Sequence, residues 1–355
     1  MECKADDAKQ GESLPDDPDF TPNPDRAIWI EGRFDEELLK RVTPEIVALV
    51  TRSREPITLF MNSHGGQSEV GQTILNLLRW NGDGRGRSRL IAVALANAQS
   101  AAALLLSAAD FAIAAPECDL LYHGARWEIA SLVLGDREKL VRELPSHHAT
   151  CALDLCRSSI HRLLSTVSEF RELFAEHRAA AGDPNLADFQ CLLEILREKI
   201  SRPAQQVLDR AVGTYARMDV LFREFRKRLR RGRAVTETHL RKLMLHACIA
   251  TEYQESRAGE LSSHEELARI SEDFYFLCAY FENGQLRDWC ASPATPQTLD
   301  VDPEEDHFLP FRMFFLALCR ALQQEENYIT PPDAVWLGLI DASQYVTPPA
   351  RASLR

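Results

Sequence analysis

Two residues of this 355-residue chain have the type and setting for acyl chemistry, Ser100 and His123. Ser100 stands between an apolar, strand-like run, Leu90 to Leu95, and a run of small residues, Ala101 to Ala109, that reads as a helix. His123 closes a second short apolar run, Asp119-Leu-Leu-Tyr-His123-Gly124. A hydroxyl is a poor nucleophile until a base takes its proton, and an imidazole, which exchanges protons near neutral pH, is the usual base. A serine at the first turn of a helix also has unpaired backbone N–H groups beside it. Such donors hold the oxyanion that forms when an acyl carbon is attacked. The pair points to a serine hydrolase. Taken alone, Ser100 has a plainer reading as a helix N-cap, the commoner fate of a serine before a helical run.

The elements that would position these residues follow from periodicity. Residues 1–25 are polar, acidic and punctuated by Pro15, Pro18, Pro22 and Pro24, the composition of a disordered arm. Ala27–Ile30 reads as a strand; Leu38, Leu39, Val42, Ile46, Leu49 and Val50 recur at helical spacing; Ile57–Met61 is a second strand, ending in Asn62-Ser-His-Gly-Gly66. Val70, Ile74, Leu77 and Leu78 mark another helix, and Gly82–Gly86 a loop. Leu90–Leu95, Phe111–Ala115 and Leu120–Tyr122 complete the strands before His123. Alternating strands and helices predict an α/β layer of crossover units. Beyond about Ile129 the β-type runs give way to long helical patterns. Leu186, Phe189, Leu193, Leu196 and Ile200 share one face, as do Leu240, Leu243, Ala247 and Ala250, and Ser263 with Glu266 has the form of a capping box. Residues 291–306 read as a proline-rich loop and Phe311–Leu322 as a helix, before α/β character returns at Tyr328–Asp341.

Composition bounds the partners. A hydrophobic content of 45% suffices for a sizeable core, and a net charge of −12 argues against nucleic acid or an anionic membrane as the main partner. No apolar run is long enough to span a bilayer, and no leader of the secretory type opens the sequence, so a cytoplasmic location is expected. The nine scattered cysteines then read as reduced thiols. His147, His148 and Cys151 share a helical face but lack a second ligand pair at metal spacing, so neither a metal nor a cofactor is expected. The basic run Arg223–Arg233 reads as a solvated helix end, or as a contact for an acidic face of another subunit.

Three blocks, taken in order, resemble the proteolytic subunit of the Clp protease: Ile57–Gly66 with its Asn-Ser-His-Gly-Gly turn, the Ser100 and His123 segments, and Tyr328–Asp341. The resemblance covers roughly 27–126 and 323–343. It implies a crotonase-like fold of repeated strand–strand–helix units, peptide hydrolysis by a Ser-His-acid triad, and an oligomer that encloses its active sites. Carried over by position, Ser100 is the nucleophile and His123 the general base, and the N–H groups of Gly66 and Ala101 form the oxyanion hole. The acid falls on Glu326, two residues before Tyr328, with Glu325 as its neighbouring alternative. A glutamate can orient the histidine as aspartate does.

Departures accompany the likeness. His64 stands where the family has proline, and Ala101 follows the nucleophile where methionine is usual. A further 203 positions separate His123 from Glu326, where the family has one helix and a short strand. The expected organisation is an acidic arm (1–25), the first part of a Clp-like α/β core (26–128), an inserted helical module (129–322), the last part of the core (323–345) and a loose tail (346–355). The expected substrate is a peptide or unfolded protein, cut within a homo-oligomer that an AAA+ unfoldase or other activator feeds or switches. Two other readings keep the fold: an inactive scaffold whose helical module does the work, and a crotonase-type enzyme that stabilises a thioester enolate with the same donors.

Overall fold

The computed structural model describes the backbone of residues 21–80, 87–124, 134–170, 174, 184–230 and 309–343. The chain divides into two compact units, one of residues 1–123, 158–205 and 326–355, the other of residues 124–157 and 206–325. Residues 158–205, helical in pattern, therefore group with the α/β layer.

The first unit is built on a seven-stranded sheet. β1 (Ala27–Glu31) alternates, with Ile28 and Ile30 buried and Trp29 exposed. In α1 (Glu36–Arg52) the Asp35 carboxylate caps the Leu38 N–H, and Leu38, Val42, Ile46 and Val50 form the buried stripe. The Arg26 guanidinium closes the other end of α1 by donating to the carbonyls of Leu49, Ser53 and Glu55. β2 (Ile57–Ser63) and α2 (Ser68–Leu78) follow, and β1 and β2 pair in parallel from Ala27↔Thr58 to Glu31↔Asn62.

β3 (Leu90–Gln99) runs four residues further than the apolar pattern predicts. Its second half, Ala-Asn-Ala-Gln, lacks the β-branched and aromatic residues that make strands legible. Partners on both sides hold it extended. It pairs with β2, with a register shift between Met61 and Ser63, then with β4 (Phe111–Ala114) over residues 91–94, and finally with β5 (Asp119–Tyr122) over 97–99. β7 (Ala342–Ser343) adds in parallel to β4, and β6 (Asn327–Ile329) antiparallel to β5. α3 (Ala101–Ser107) stops two residues before the predicted Ala109. The carbonyls of Ser107 and Ala109 accept from Arg162, at 2.7 and 2.6 Å, and that of Ala108 from Arg79 at 2.6 Å.

Arg162 lies on α4 (Leu134–Glu169), in the part that belongs to the first unit. It is buried and pairs at 2.8 Å with Asp341, itself buried and accepting from the Ala112 N–H. One turn away Ser159 donates to the Ser107 carbonyl. Leu163 packs so closely on Gly338 that a Cβ there would lie 3.1 Å from the Leu163 nitrogen. α5 (Pro184–Lys199) buries Phe189, Leu193 and Leu196 as the pattern predicts, with Ile200 just beyond its end, and Cys191 and Leu192 besides. It meets α6 (Arg202–Arg230) at Ser201, whose N–H and hydroxyl both donate to Asp333, in α8 (Pro331–Trp336).

In the second unit α7 (Leu309–Leu322) is buried along nearly its whole surface, from Phe311 to Leu322. Cys156 and Cys319 meet inside it as free thiols, and burial and then the neighbouring Cys319 thiol hold Cys156 protonated well above the ordinary thiol range. Tyr215 stands edge-on to Phe314, and Arg210 pairs with Glu325 at 3.0 Å. Most of the 1–25 arm, the Gly82–Gly86 loop, the 240–250 helix, the Ser263–Glu266 capping box, the 291–306 loop and the tail after Pro348 lie outside the described residues. So do the side chains of His147, His148 and Arg223–Arg233; no described helix is long and apolar enough to cross a membrane.

Candidate active site

Ser100 joins β3 to α3 with φ 56° and ψ −123°, and it is the one residue other than glycine with positive φ among the described residues. Such a backbone costs about 1–3 kcal/mol and persists only where its surroundings impose it. Here they do. The Ser100 N–H donates to the Leu121 carbonyl at 2.8 Å, which ties the junction to β5, and the Ser100 carbonyl accepts from Leu104 N–H at 3.1 Å, which starts α3. Although Ser100 holds the N-cap position, its side chain makes no capping hydrogen bond. The plain N-cap reading therefore fails.

The glycine turn after β2 presses against this junction. A Cβ on Gly65 would lie 2.4 Å from the Gln99 carbonyl oxygen, 2.6 Å from the Ser100 Cβ and 3.1 Å from the Ala101 nitrogen, so only glycine fits. The Ser63 hydroxyl fixes the turn by donating to the Gly32 carbonyl at 2.5 Å and accepting from the Gly65 N–H at 3.0 Å. Gly66 bridges to Phe34, but through the Gly65 carbonyl and the Gln67 N–H, so its own N–H takes no part in that bridge. The Ala101 N–H belongs to the first turn of α3, where helix donors have no intrahelical partner.

His64 is exposed, and its Nδ1 lies 3.2 Å from the Gln99 Oε1. Gln99 in turn donates to the Asn97 Oδ1 at 3.4 Å, and Asn97 to the Asn62 Oδ1 at 3.1 Å. With Nδ1–H donating, all three bonds of this row run in one direction, and His64 completes it as a turn residue.

Strand register supplies the rest of the geometry. β3 and β5 pair as Ala98↔Leu120 and Gln99↔Leu121, so Ser100 is level with Tyr122 and His123 follows one position on. β5 and β6 pair as Leu121↔Tyr328 and Tyr122↔Asn327, so His123 and Glu326 each stand one residue beyond the last pair. Neighbouring strands lie about 4.8 Å apart, and directly opposed residues share a face. The 203-residue detour thus returns the chain to the strand beside His123. His123 is half-buried and Glu326 exposed, whereas Glu325 pairs with Arg210.

Four contributors have no role expected from the sequence. Gly65, rather than Gly66, is the glycine in contact with Ser100. Gln99 joins the row that His64 completes. Arg162 and Asp341 anchor the far end of α3; their signal was a polar stripe, Ser159, Arg162 and Thr166, at helical spacing and buried throughout. Beside the site, burial and then the neighbouring Asp119 push the Cys118 thiol up to about 12. Among the described residues no group of three metal-ligating side chains comes together.

Residues 23–147 match the Clp protease family. Over 55 residues the chain is 38% identical to the ATP-dependent Clp protease proteolytic subunit 3 of Rhizobium meliloti (strain 1021), a stretch that is 16% of this chain and 28% of that protein. The proteins of the same name from Rhizobium johnstonii and Rhizobium etli are 36% identical over the same length. The chain thus spans little more than a quarter of the relatives it matches. The mixed sheet with crossover helices is consistent with a fold like that of the Clp proteolytic subunit, and the added helices fit an insertion. Over residues 23–147, then, this chain is similar to the Clp protease family.

Proposed function

We propose that this chain is a Clp-like serine peptidase in which Ser100 attacks the peptide carbonyl, His123 takes the hydroxyl proton and gives it to the leaving amine as the C–N bond breaks, water then hydrolyses the acyl-enzyme, and Glu326 orients His123. The N–H groups of Gly66 and Ala101 hold the oxyanion. The observation that carries the reading is the left-handed backbone of Ser100 at a strand-to-helix junction, combined with a hydroxyl that does not cap its helix. Strain of this kind collects at functional sites, and a serine that only capped a helix would have no need of it. The pairings Gln99↔Leu121 and Tyr122↔Asn327, which end one or two residues short of Ser100, His123 and Glu326, support the same reading.

A peptide or unfolded protein is the substrate, cut within a homo-oligomer in the cytoplasm, and the helical segments added between His123 and Glu326 gate the site or receive an AAA+ unfoldase or other activator. Two arms test the chemistry. A fluorophosphonate probe is expected to label Ser100, and Ser100→Ala to abolish both labelling and hydrolysis of fluorogenic peptides. No labelling of the full-length protein with or without candidate activators, while a control serine peptidase reacts, would overturn the proposal in favour of a non-catalytic scaffold.

A further inference from the structure

We infer that Arg162 is a positioning residue for Ser100, acting from the opposite end of α3 and making the nucleophile's geometry depend on the helix α4. The inference rests on the proposed function and adds a residue outside the segment that matches the Clp protease family. α3 has seven residues, too short to be stable unaided, so its position is set by what holds its ends. At the N-terminal end that position must sustain the strained Ser100 backbone.

At the C-terminal end the guanidinium of Arg162 donates to Ser107 and Ala109 carbonyls at 2.7 and 2.6 Å, while its Nε pairs with Asp341 at 2.8 Å. A cation at this end also opposes the partial negative charge of the helix terminus. Ser159 adds a bond of 3.1 Å to the Ser107 carbonyl, and the hydroxyls of Ser107 and Tyr122 lie 2.8 Å apart. Since Tyr122 immediately precedes His123 and is level with Ser100, the clamp also ties α3 to the strand that delivers His123. Sliding α3 along its axis would move Ser100 relative to Gly65, where contacts leave no slack. A displacement of about 1 Å at a reacting atom can cost on the order of a hundredfold in rate.

The test compares wild type with Arg162→Met, Arg162→Lys and Ser159→Ala in the full chain, at a temperature where circular dichroism shows each folded. Two quantities are read: the rate constant and the apparent affinity of fluorophosphonate labelling, and amide hydrogen exchange at Leu104–Ala108 relative to β2. Arg162→Met is expected to slow the labelling step about ten- to a hundredfold with probe affinity changed less than about twofold. Arg162→Lys should recover part of that loss, and α3 amides should exchange faster while β2 amides do not. A purely structural role would instead lower the melting temperature and raise exchange in both elements alike, with the labelling step unchanged in the folded fraction; that result overturns the inference. If Arg162→Met does not fold, Arg162→Lys and Ser159→Ala carry the comparison by the same criteria. If wild-type Ser100 is not labelled the proposed peptidase falls, and exchange still decides: faster exchange confined to α3 upholds the coupling, and unchanged exchange overturns it.

Discussion

At its N-terminal end α3 begins on Ser100, with φ 56° and a hydroxyl left out of the cap; seven residues later it ends with three successive carbonyls taken up by Arg162 and Arg79. An ordinary short helix would reverse this distribution of polar contacts, with a serine capping its first turn and water at its last. Here the donors of the first turn stay available and the last turn is clamped by two cations, Arg162 buried and Arg79 half-buried. The contrast teaches that a helix can leave one terminus open for chemistry when the other supplies its restraint.

The largest expected effect breaks the contrast at its reactive end. Ser100→Ala should lower peptide hydrolysis by about ten-thousandfold or more, the scale of losing a nucleophile, with residual rate from oxyanion donors and binding alone. Steady-state kinetics together with the thermal midpoint would show it. Because alanine disfavours positive φ no less than serine, the midpoint should stay close to that of wild type. At the anchored end, Asp341→Ala removes one half of the buried pair and leaves Arg162 charged inside the protein, a loss of about 3–5 kcal/mol of stability. Urea unfolding measures it, and a change under about 1 kcal/mol would mean the anchor does not restrain α3.

Two glycines near α3 sharpen the comparison. Gly65→Ala would place a methyl 2.4 Å from the Gln99 carbonyl oxygen at φ +85°, costing about 2–4 kcal/mol and disturbing Ser100 directly. Gly71→Ala, inside α2, meets nothing closer than 3.4 Å and should be neutral or stabilise the fold by about 0.5–1 kcal/mol. Thermal melts of the pair would separate the demand for glycine at the nucleophile from the mere presence of one. Glu326→Gln tests a weaker contributor. In the proposed triad the exposed Glu326 carboxylate should be worth about ten- to a hundredfold in kcat, with KM nearly unchanged.

The legible parts of the sequence were those in which local pattern and tertiary role agree. Ile28 and Ile30, the α1 stripe and Ile57–Met61 announce their elements because burial and period coincide. Ser100, His123 and the glycine turn stood out through residue type and order. Three things were hidden. The alanine-rich end of β3 has little strand propensity and is held by partners distant in sequence. The pairing of β6 with β5 joins segments on either side of a 203-residue detour, which no local window reports. Arg162 looks like any surface arginine on an amphipathic helix, and its role emerges only when Ser107, Ala109 and Asp341 surround it.

The smallest effect lies just past the anchored end and is read by pH. Asp110 follows the last residue of α3 by three positions and leads into β4. Its carboxylate accepts both arms of Arg87, at 2.5 and 2.6 Å, and the Leu90 N–H at 2.8 Å. Burial alone would raise this carboxyl, but the Arg87 and Leu90 hydrogen bonds and the charges of Arg87 and Arg79 together outweigh it and hold the group below its ordinary value. A carboxyl lowered in the folded state binds its proton more weakly there than in the unfolded chain. Its stabilisation is therefore present above the unfolded value of about 3.9 and lost as pH falls through the lowered folded value. Urea midpoints taken between pH 6 and pH 3 should fall more steeply for wild type than for Asp110→Asn, and the two curves should converge at the acid end. Parallel curves would show that the pair contributes no linkage, leaving Arg162 and Arg79 as the restraints at that end of α3.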